Sequence, residues 1–535
     1  MADEQGRRYR SPIVGDLNLP PRGPRGPGGG EGPDPDEPTA MIVELNVLYP
    51  GGLGAVRKAF RDVWRPWEAE AGLSSSADVV PPPSTTEAPP PPGLTPIAPK
   101  LYQCVLSRRE LRAMVERDHA LADERHMPPA IFRVWPDYEM RPQIDRSAPT
   151  VKADAAWRSY GARGSGVVWA VLDSGIDGSH PHFSHLELAD EARGQLPAEG
   201  RTSNLHRDFS RLVYFGKVAP PGPAAPPAAG DIGTALIDEC GHGTHVAGII
   251  AGQRPDDVPP AVATSAEPSQ GAGYVPRTRL GVLSGMAPSC ELVSLKVMRR
   301  NPLGLWVTSS SAVIAALTYL RAEVNVDPAV LRVHGVNLSL GCPWQPEDYA
   351  AGQSPLCQAL NQLVASGVVA VISAGNFGAA SSKSDSTNTS AVMGSITEPA
   401  HAEDCIAVGS THRDAPHAFG VTWTSGKGPT LDGRMKPDVV APGEWITSAA
   451  SGEIRTKAGL DGVQGKALYA EQSGTSMAAP HVSGVVAAFL SARPEFIGRP
   501  RQVKQLLMQS ATDLGRERYA QGAGLVDLMR MLSIV

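Results

Sequence analysis

The sequence predicts an α/β protein whose main domain carries a mostly parallel central sheet, and three features predict it. Along residues 146–535, short apolar runs of strand length alternate with longer helical segments, the rhythm of successive β-α-β units. The apolar runs read as buried strands, as a parallel sheet covered on both faces requires. A smaller strand–helix unit comes before this domain, set apart by a change of composition.

The elements follow in chain order. Residues 1–39 are rich in Gly, Pro and charge and hold too little apolar surface to offset ordering, so a disordered tail is expected. MIVELNVLY (41–49) reads as a strand and AVRKAFRDVWRPW (55–67) as an amphipathic helix. Residues 74–99 form a Pro-rich insertion expected to run as an extended linker. KLYQCVLS (100–107) reads as a strand, RRELRAMVERD (108–118) as a helix and IFRVWPDYE (131–139) as a strand. These make a small unit over 40–145. In the larger domain, strands are expected at 167–173, 290–298, 333–341, 367–375 and 404–410, and helices at 242–252, 309–322, 354–366, 475–491 and 499–512. Residues 216–234 and 253–281 read as surface insertions.

Composition narrows the function classes. The chain has 535 residues, 41% hydrophobic and 19% charged, enough for a sizeable core. Its formal net charge of −6 gives no reason to expect nucleic acid or an anionic membrane as partner. No run of about 18 apolar residues is seen, so no transmembrane helix is expected. The first residues carry basic side chains with no apolar run behind them, unlike a secretory signal peptide. A cytoplasmic protein is therefore expected. Its six cysteines (104, 240, 290, 342, 357 and 405) are scattered, without zinc spacing, and are expected to be reduced thiols.

Four segments carry chemistry. VVWAVLDSGID ends an apolar strand at Asp173, placing a carboxylate at the mouth of a parallel sheet, where α/β sites form. In DECGHGTHVAGIIAG, His242 lies between two glycines that let the backbone approach closely. VVAVISAGN is a buried strand ending in Gly375-Asn376, and an Asn there can offer its amide N–H to a developing oxyanion. SGTSMAAPHVSGVVAAFLSA places Ser476 at the start of an apolar helix, near the positive end of its dipole. Pro480 lies in the helix's first turns, where a missing N–H is least costly. Singly, each admits a plainer reading: a turn-capping Asp, a structural His, a turn Asn, a helix-opening Ser. Together they stand in the order Asp173, His242, Asn376, Ser476, one of the orders in which a Ser–His–Asp triad recurs on unrelated folds. Metal binding by His242 and His245 lacks a third ligand at usable spacing, and the GSHPHFSH run (178–185) lies in a turn-like segment, where a structural role is the better reading.

On these motifs the chain resembles the subtilisin-like serine peptidases, peptidase family S8. The stretches are VLDSGID, GHGTHVAG, VNLSLG, SAGN, KPDVVAPG and GTSMAAPHVSG, with AQGAGLVDLMRML (520–532) similar to the family's final helix. The resemblance covers roughly 145–535 and implies a three-layer fold. It implies a serine endopeptidase with Asp173, His242 and Ser476 as its triad and Asn376 in the oxyanion hole. Protein or peptide substrates would lie along Ser339, Leu340 and Gly341, with Ser373, Ala374 and Gly375 as the opposite wall. Small residues on both walls suggest a roomy first pocket. No cofactor is required, and calcium is left open, with no ligands identifiable. Residues 40–145 resemble the family's ferredoxin-like α+β propeptide. That implies an intramolecular inhibitor released by cleavage near 138–148, just before APTVKADAAW. A partner-binding sensor domain is the rival for this unit. An inactive protease-fold binding protein and a peptide ligase are the rivals for the whole. Cys240, near His242, reads as a small buried side chain or as a regulatory thiol.

Overall fold

The computed structural model describes residues 39–67, 94–98, 100–136, 147–186, 188, 202–213, 232–265, 273–277, 283–327, 330–343, 350–382 and 385–535. The chain divides into two compact units, 1–140 and 141–535. The expected tail, most of the Pro-rich insertion, most of the 216–234 insertion and most of the expected cleavage stretch fall outside the described residues.

The first unit runs β1 (Thr39–Leu45), α1 (Gly52–Trp64), β2 (Thr95–Ala98), β3 (Leu101–Leu106), α2 (Arg108–Arg125) and β4 (Ile131–Pro136). Its four strands form one antiparallel sheet in the order β2-β3-β1-β4, the ferredoxin-like arrangement. Met41, Val43 and Leu45 alternate along β1 toward a core shared with Phe60, Trp64, Leu111 and Met114 of the two helices. Ser107 and Glu110 start α2 with a reciprocal capping box. The buried Asp118 carboxylate then takes the N–H groups of Ala130 (2.9 Å) and Ile131 (2.8 Å), tying α2 to the start of β4. The end of the Pro-rich stretch is not linker but the edge strand β2. Pro96 is tolerated there because an edge strand needs no inward N–H at every position.

The second unit is built on a seven-stranded sheet, parallel throughout. From one edge its strands are Val439–Glu444, Ile406–His412, Val369–Ser373, Gly335–Leu338, Val168–Asp173, Glu291–Lys296 and Arg207–Asp208. The period-2 alternation of a strand splits the core into two layers. Trp169 and Val171 face a cluster with the helices His242–Ile250 and Thr475–Ala492. Ala170 and Leu172 face another, with Ser310–Tyr319 and Pro355–Ala365. Among the described residues, Thr475–Ala492 is long and apolar enough to cross a membrane, against the expectation that no such run exists. Its side chains are buried in the first of these clusters, where a helix apolar all round belongs.

The register pairs Leu172, Leu338 and Ile372, so Asp173, Ser339 and Ser373 leave the sheet side by side at its C-terminal edge. A second sheet joins Ile446–Ala449, Ala467–Gln472, Pro260–Ser265 and Tyr274–Arg277. Its last two strands arise from the expected insertion 253–281, which is therefore partly a hairpin.

Candidate active site

Asp173 is the last residue of its strand and is 1% exposed. Its Oδ1 accepts the Ser174 N–H at 2.8 Å and stands 2.8 Å from His242 Nδ1. His242 opens its helix, and the glycines flanking it are required by space. A Cβ on Gly241, where φ is +90°, would lie 2.2 Å from the Ser451 carbonyl oxygen; one on Gly243 would lie 2.1 Å from that of Gly175. Burial disfavours the charged imidazole of His242. The charge and hydrogen bond of Asp173, with the charge of Asp238, outweigh burial and raise its pKa above the ordinary value.

Asp238 was not singled out in the sequence. It is buried behind the Asp173–His242 pair, and four groups donate to it: Ser174 Oγ (2.9 Å), Gly241 N–H (2.8 Å), Thr244 N–H (2.8 Å) and Thr244 Oγ1 (2.7 Å). It thus satisfies the open N-terminal amides of the helix that carries His242. An acid four residues before a helix-opening His is the signal that could have found it.

Ser476 is the second residue of Thr475–Ala492. Its hydroxyl donates to the Ser339 carbonyl at 3.1 Å rather than to His242. Pro480 lacks the N–H that would bond the Ser476 carbonyl, and the Ser339 hydroxyl takes that carbonyl instead, at 2.8 Å. Ser339 Oγ in turn accepts from Asn337 Nδ2 (2.9 Å), whose Oδ1 accepts from Ser483 Oγ (2.9 Å). A chain of buried polar groups therefore ties the central strand to both ends of the first turns around Ser476.

Asn376 follows Gly375, whose φ of +96° turns the chain out of its strand. Its Oδ1 accepts from Thr475 N–H (2.9 Å) and Thr475 Oγ1 (3.1 Å). That assigns the amide orientation: Nδ2 is left without a partner among the described residues, as a donor.

His242, Ser476 and Asn376 line one cleft of about 810 Å³ together with Ser339, Leu340, Gly341, Ser373 and Gly375. Ala374 does not line it; it is fully buried, and its carbonyl receives the Thr397 N–H at 3.0 Å. Thr397, 3% exposed, lines the same cleft and packs against the glycine of each wall: a Cβ built on Gly375 would meet its Cγ2 at 2.4 Å, and one on Gly341 its Oγ1 at 2.6 Å. Trp306, Val307 and Met298 add an apolar side to the cleft that the sequence did not reveal. Trp306 and Val307 belong to a short hairpin, next to Met298, with strands too brief for a periodic pattern.

Cys240 also lines the cleft. Burial, with the nearby carboxylates, pushes its thiol up to about 12, so at neutral pH it is protonated and a poor nucleophile. The GSHPHFSH histidines are occupied by the fold. His180 Nε2 is 2.8 Å from the Leu468 carbonyl, His182 lies between Tyr469 Oη and the Gly248 carbonyl, and His185 Nε2 is 2.9 Å from the Pro288 carbonyl. Among the described residues no three His, Cys, Asp or Glu side chains form a metal-binding group.

A carboxylate–imidazole pair, a hydroxyl at a helix start and an unpaired amide donor, on one cleft, can carry out acyl transfer. The model of the subtilase family matches 164–525. Subtilisin E of Bacillus subtilis (strain 168) is 28% identical over 414 residues, 77% of this chain and 78% of that protein. An alkaline protease of Shouchella clausii is 29% identical over 408 residues, 76% of this chain and 75% of that protein. The subtilisin-like protease PopC of Myxococcus xanthus (strain DK1622) is 27% identical over 382 residues; the match spans 69% of this chain and 60% of that protein.

Proposed function

The chain belongs to the subtilase family of serine peptidases, and from that premise we propose that Ser476 is its nucleophile, His242 its general base and Asp173 the group that orients the imidazole. The protein is a subtilisin-like serine endopeptidase acting on proteins or peptides.

Peptide hydrolysis runs as one acyl-transfer cycle. The Ser476 hydroxyl leaves the Ser339 carbonyl and turns to His242 Nε2. Its oxygen bonds to the peptide carbonyl carbon while its proton passes to the imidazole. The carbonyl electrons move to oxygen, and the oxyanion accepts from Asn376 Nδ2 and the Ser476 N–H, a donor without an intrahelical acceptor. The tetrahedral intermediate collapses, the C–N bond breaks, and the imidazolium gives its proton to the leaving amine. Water then repeats the sequence on the acyl-enzyme ester. Asp173, 2.8 Å from Nδ1, supports this by holding Nε2 toward the cleft and favouring the imidazolium. Losing one oxyanion donor costs about 10² to 10³ in turnover, a magnitude known from this family.

Extended substrate would pair with the 339–341 edge, where main-chain hydrogen bonds bring affinity with little demand on sequence. The Thr397 side chain between the walls supports a preference for small side chains in the first pocket. The ferredoxin-like first unit supports a zymogen, with residues 40–145 as an inhibitor in cis. Six free cysteines, one of them exposed, support a working place in a reducing compartment inside the cell.

The carrying observation is the His242–Asp173 pair on one cleft with Ser476. A fluorophosphonate probe tests it. Labelling should fall on Ser476 in protein freed of residues 1–145 and vanish in Ser476→Ala. No labelling of that protein, or labelling of another serine, would overturn the assignment.

A further inference from the structure

Lys427 is a buried cation that forms no ion pair among the described residues. It is 9% exposed, and its Nζ donates to three main-chain carbonyls: Gly378 (3.0 Å), Trp423 (2.8 Å) and Ser425 (3.0 Å). Three donors meet three acceptors, the full capacity of an ammonium group. Burial lowers its pKa, the mark of the penalty for desolvating a cation. This is the surrounding a bound monovalent cation would have, supplied here by a tethered one.

Its position gives that expense a purpose. Trp423 and Ser425 belong to its own turn, whereas Gly378 lies across from it, two residues after Asn376. The two segments run side by side: the Gly378 N–H bonds the Thr424 carbonyl at 2.9 Å, and the Gly426 N–H bonds the Gly375 carbonyl at 2.7 Å. They are in close contact, since a Cβ on Gly378 would lie 1.8 Å from the Ser425 carbonyl oxygen and 2.6 Å from Lys427 Nζ. The main chain of Lys427 is itself anchored, its N–H on Ser395 Oγ at 3.0 Å and its carbonyl receiving the Ser395 N–H at 2.8 Å. Asn376 is therefore held twice. Thr475 fixes the amide at the side-chain end, and the Lys427 clamp fixes the main chain just beyond it.

We propose that Lys427 is a positioning residue for the oxyanion-binding amide: its ammonium clamps segment 375–378 to segment 423–426 and so holds Asn376 Nδ2 where the oxyanion forms. This rests on the reading of Asn376 as an oxyanion donor. A shift of about 1 Å in such a group can cost on the order of 10²-fold in rate, whereas among the described residues no hydrogen bond of Lys427 reaches the 339–341 edge.

The test is a double-mutant cycle on peptide hydrolysis with Lys427→Met, Asn376→Ala and both together, reading kcat and KM separately. Lys427→Met is expected to lower kcat by about 10-fold or more, with KM within about 2-fold. The double variant should fall within about 2-fold of Asn376→Ala alone, because the clamp acts through the amide that is gone. Losses that multiply in the double variant, or a change confined to KM, would overturn the proposal while leaving the oxyanion reading intact. An unchanged kcat in Asn376→Ala would sink that reading and the proposal with it. Should Lys427→Met not fold, Lys427→Gln, which keeps a neutral donor in the same space, carries the same cycle with the same expected outcomes.

Discussion

Asp173 sets the pH at which the proposed base becomes free. Its carboxylate keeps the proton on His242 to higher pH than burial alone would allow. Replacing it by Asn removes that charge, so the imidazole loses its proton at lower pH. Asp173→Asn is expected to move the acid limb of the kcat/KM profile to lower pH, while kcat falls by about 10⁴ as the tautomer is lost. An acid limb that stays in place or rises would contradict the pairing. Thr397 makes the second prediction at this scale. Thr397→Gly empties the space between Gly341 and Gly375, and cleavage after Leu or Phe relative to Ala is expected to improve by about 10-fold or more in kcat/KM. Unaltered selectivity across a peptide series would show that Thr397 does not bound the pocket. Asp173, His242, Asn376 and Ser476 could be named from the sequence because four locally constrained motifs stand together in one order, although each alone admits a plainer reading. Thr397, Asp238 and Lys427 could not. Their meaning depends on what they touch across the fold, such as Gly378, 49 residues before Lys427.

Elements differ in how plainly they were written. The five inner strands of the central sheet were legible because they are apolar and buried, and the helix 475–492 because it is apolar throughout; the edge strands Val439–Glu444 and Arg207–Asp208 were not. The sheet formed by 260–265, 274–277, 446–449 and 467–472 was not. PAVATS and ALYAEQ have weak apolar patterns, and the first finds its partner about two hundred residues later, through Ala467↔Pro260. Packing within an element also carries a prediction. Gly335 sits opposite Trp169 in the adjacent strand, and a Cβ there would lie 2.3 to 2.5 Å from the buried indole ring. Gly335→Ala is expected to destabilise the domain by about 1–3 kcal/mol, since a packed core has no spare volume. The midpoint of denaturant unfolding, followed by tryptophan fluorescence, measures it; an unchanged midpoint would mean that the strand yields at no cost.

At the scale of the whole molecule, the order of the two units makes the prediction. If residues 40–145 inhibit and the triad removes them, purified protein should carry a new N-terminus near 142. Ser476→Ala should remain intact, and N-terminal sequencing or intact mass reads both. An intact chain in both proteins would favour a partner-binding unit that stays attached. The ferredoxin-like unit was legible as strands and helices, yet its edge strand β2 was hidden in a Pro-rich run.

By itself the sequence determined the family, the α/β class and the residues whose local settings admit few substitutes. A His between two space-limited glycines, or a Ser followed four residues later by a helix Pro, is constrained by its immediate backbone, and such constraints lie within a few residues. Only the tertiary structure decided which groups meet. Asp173 reaches a His 69 residues away, Ser339 takes the carbonyl that Pro480 leaves open, Thr397 packs against the glycines of both walls, and Lys427 bonds the Gly378 carbonyl behind Asn376. Those pairings come from the register of a parallel sheet and the packing of its two layers. They join residues far apart in the chain, and no short stretch of sequence encodes a distant contact.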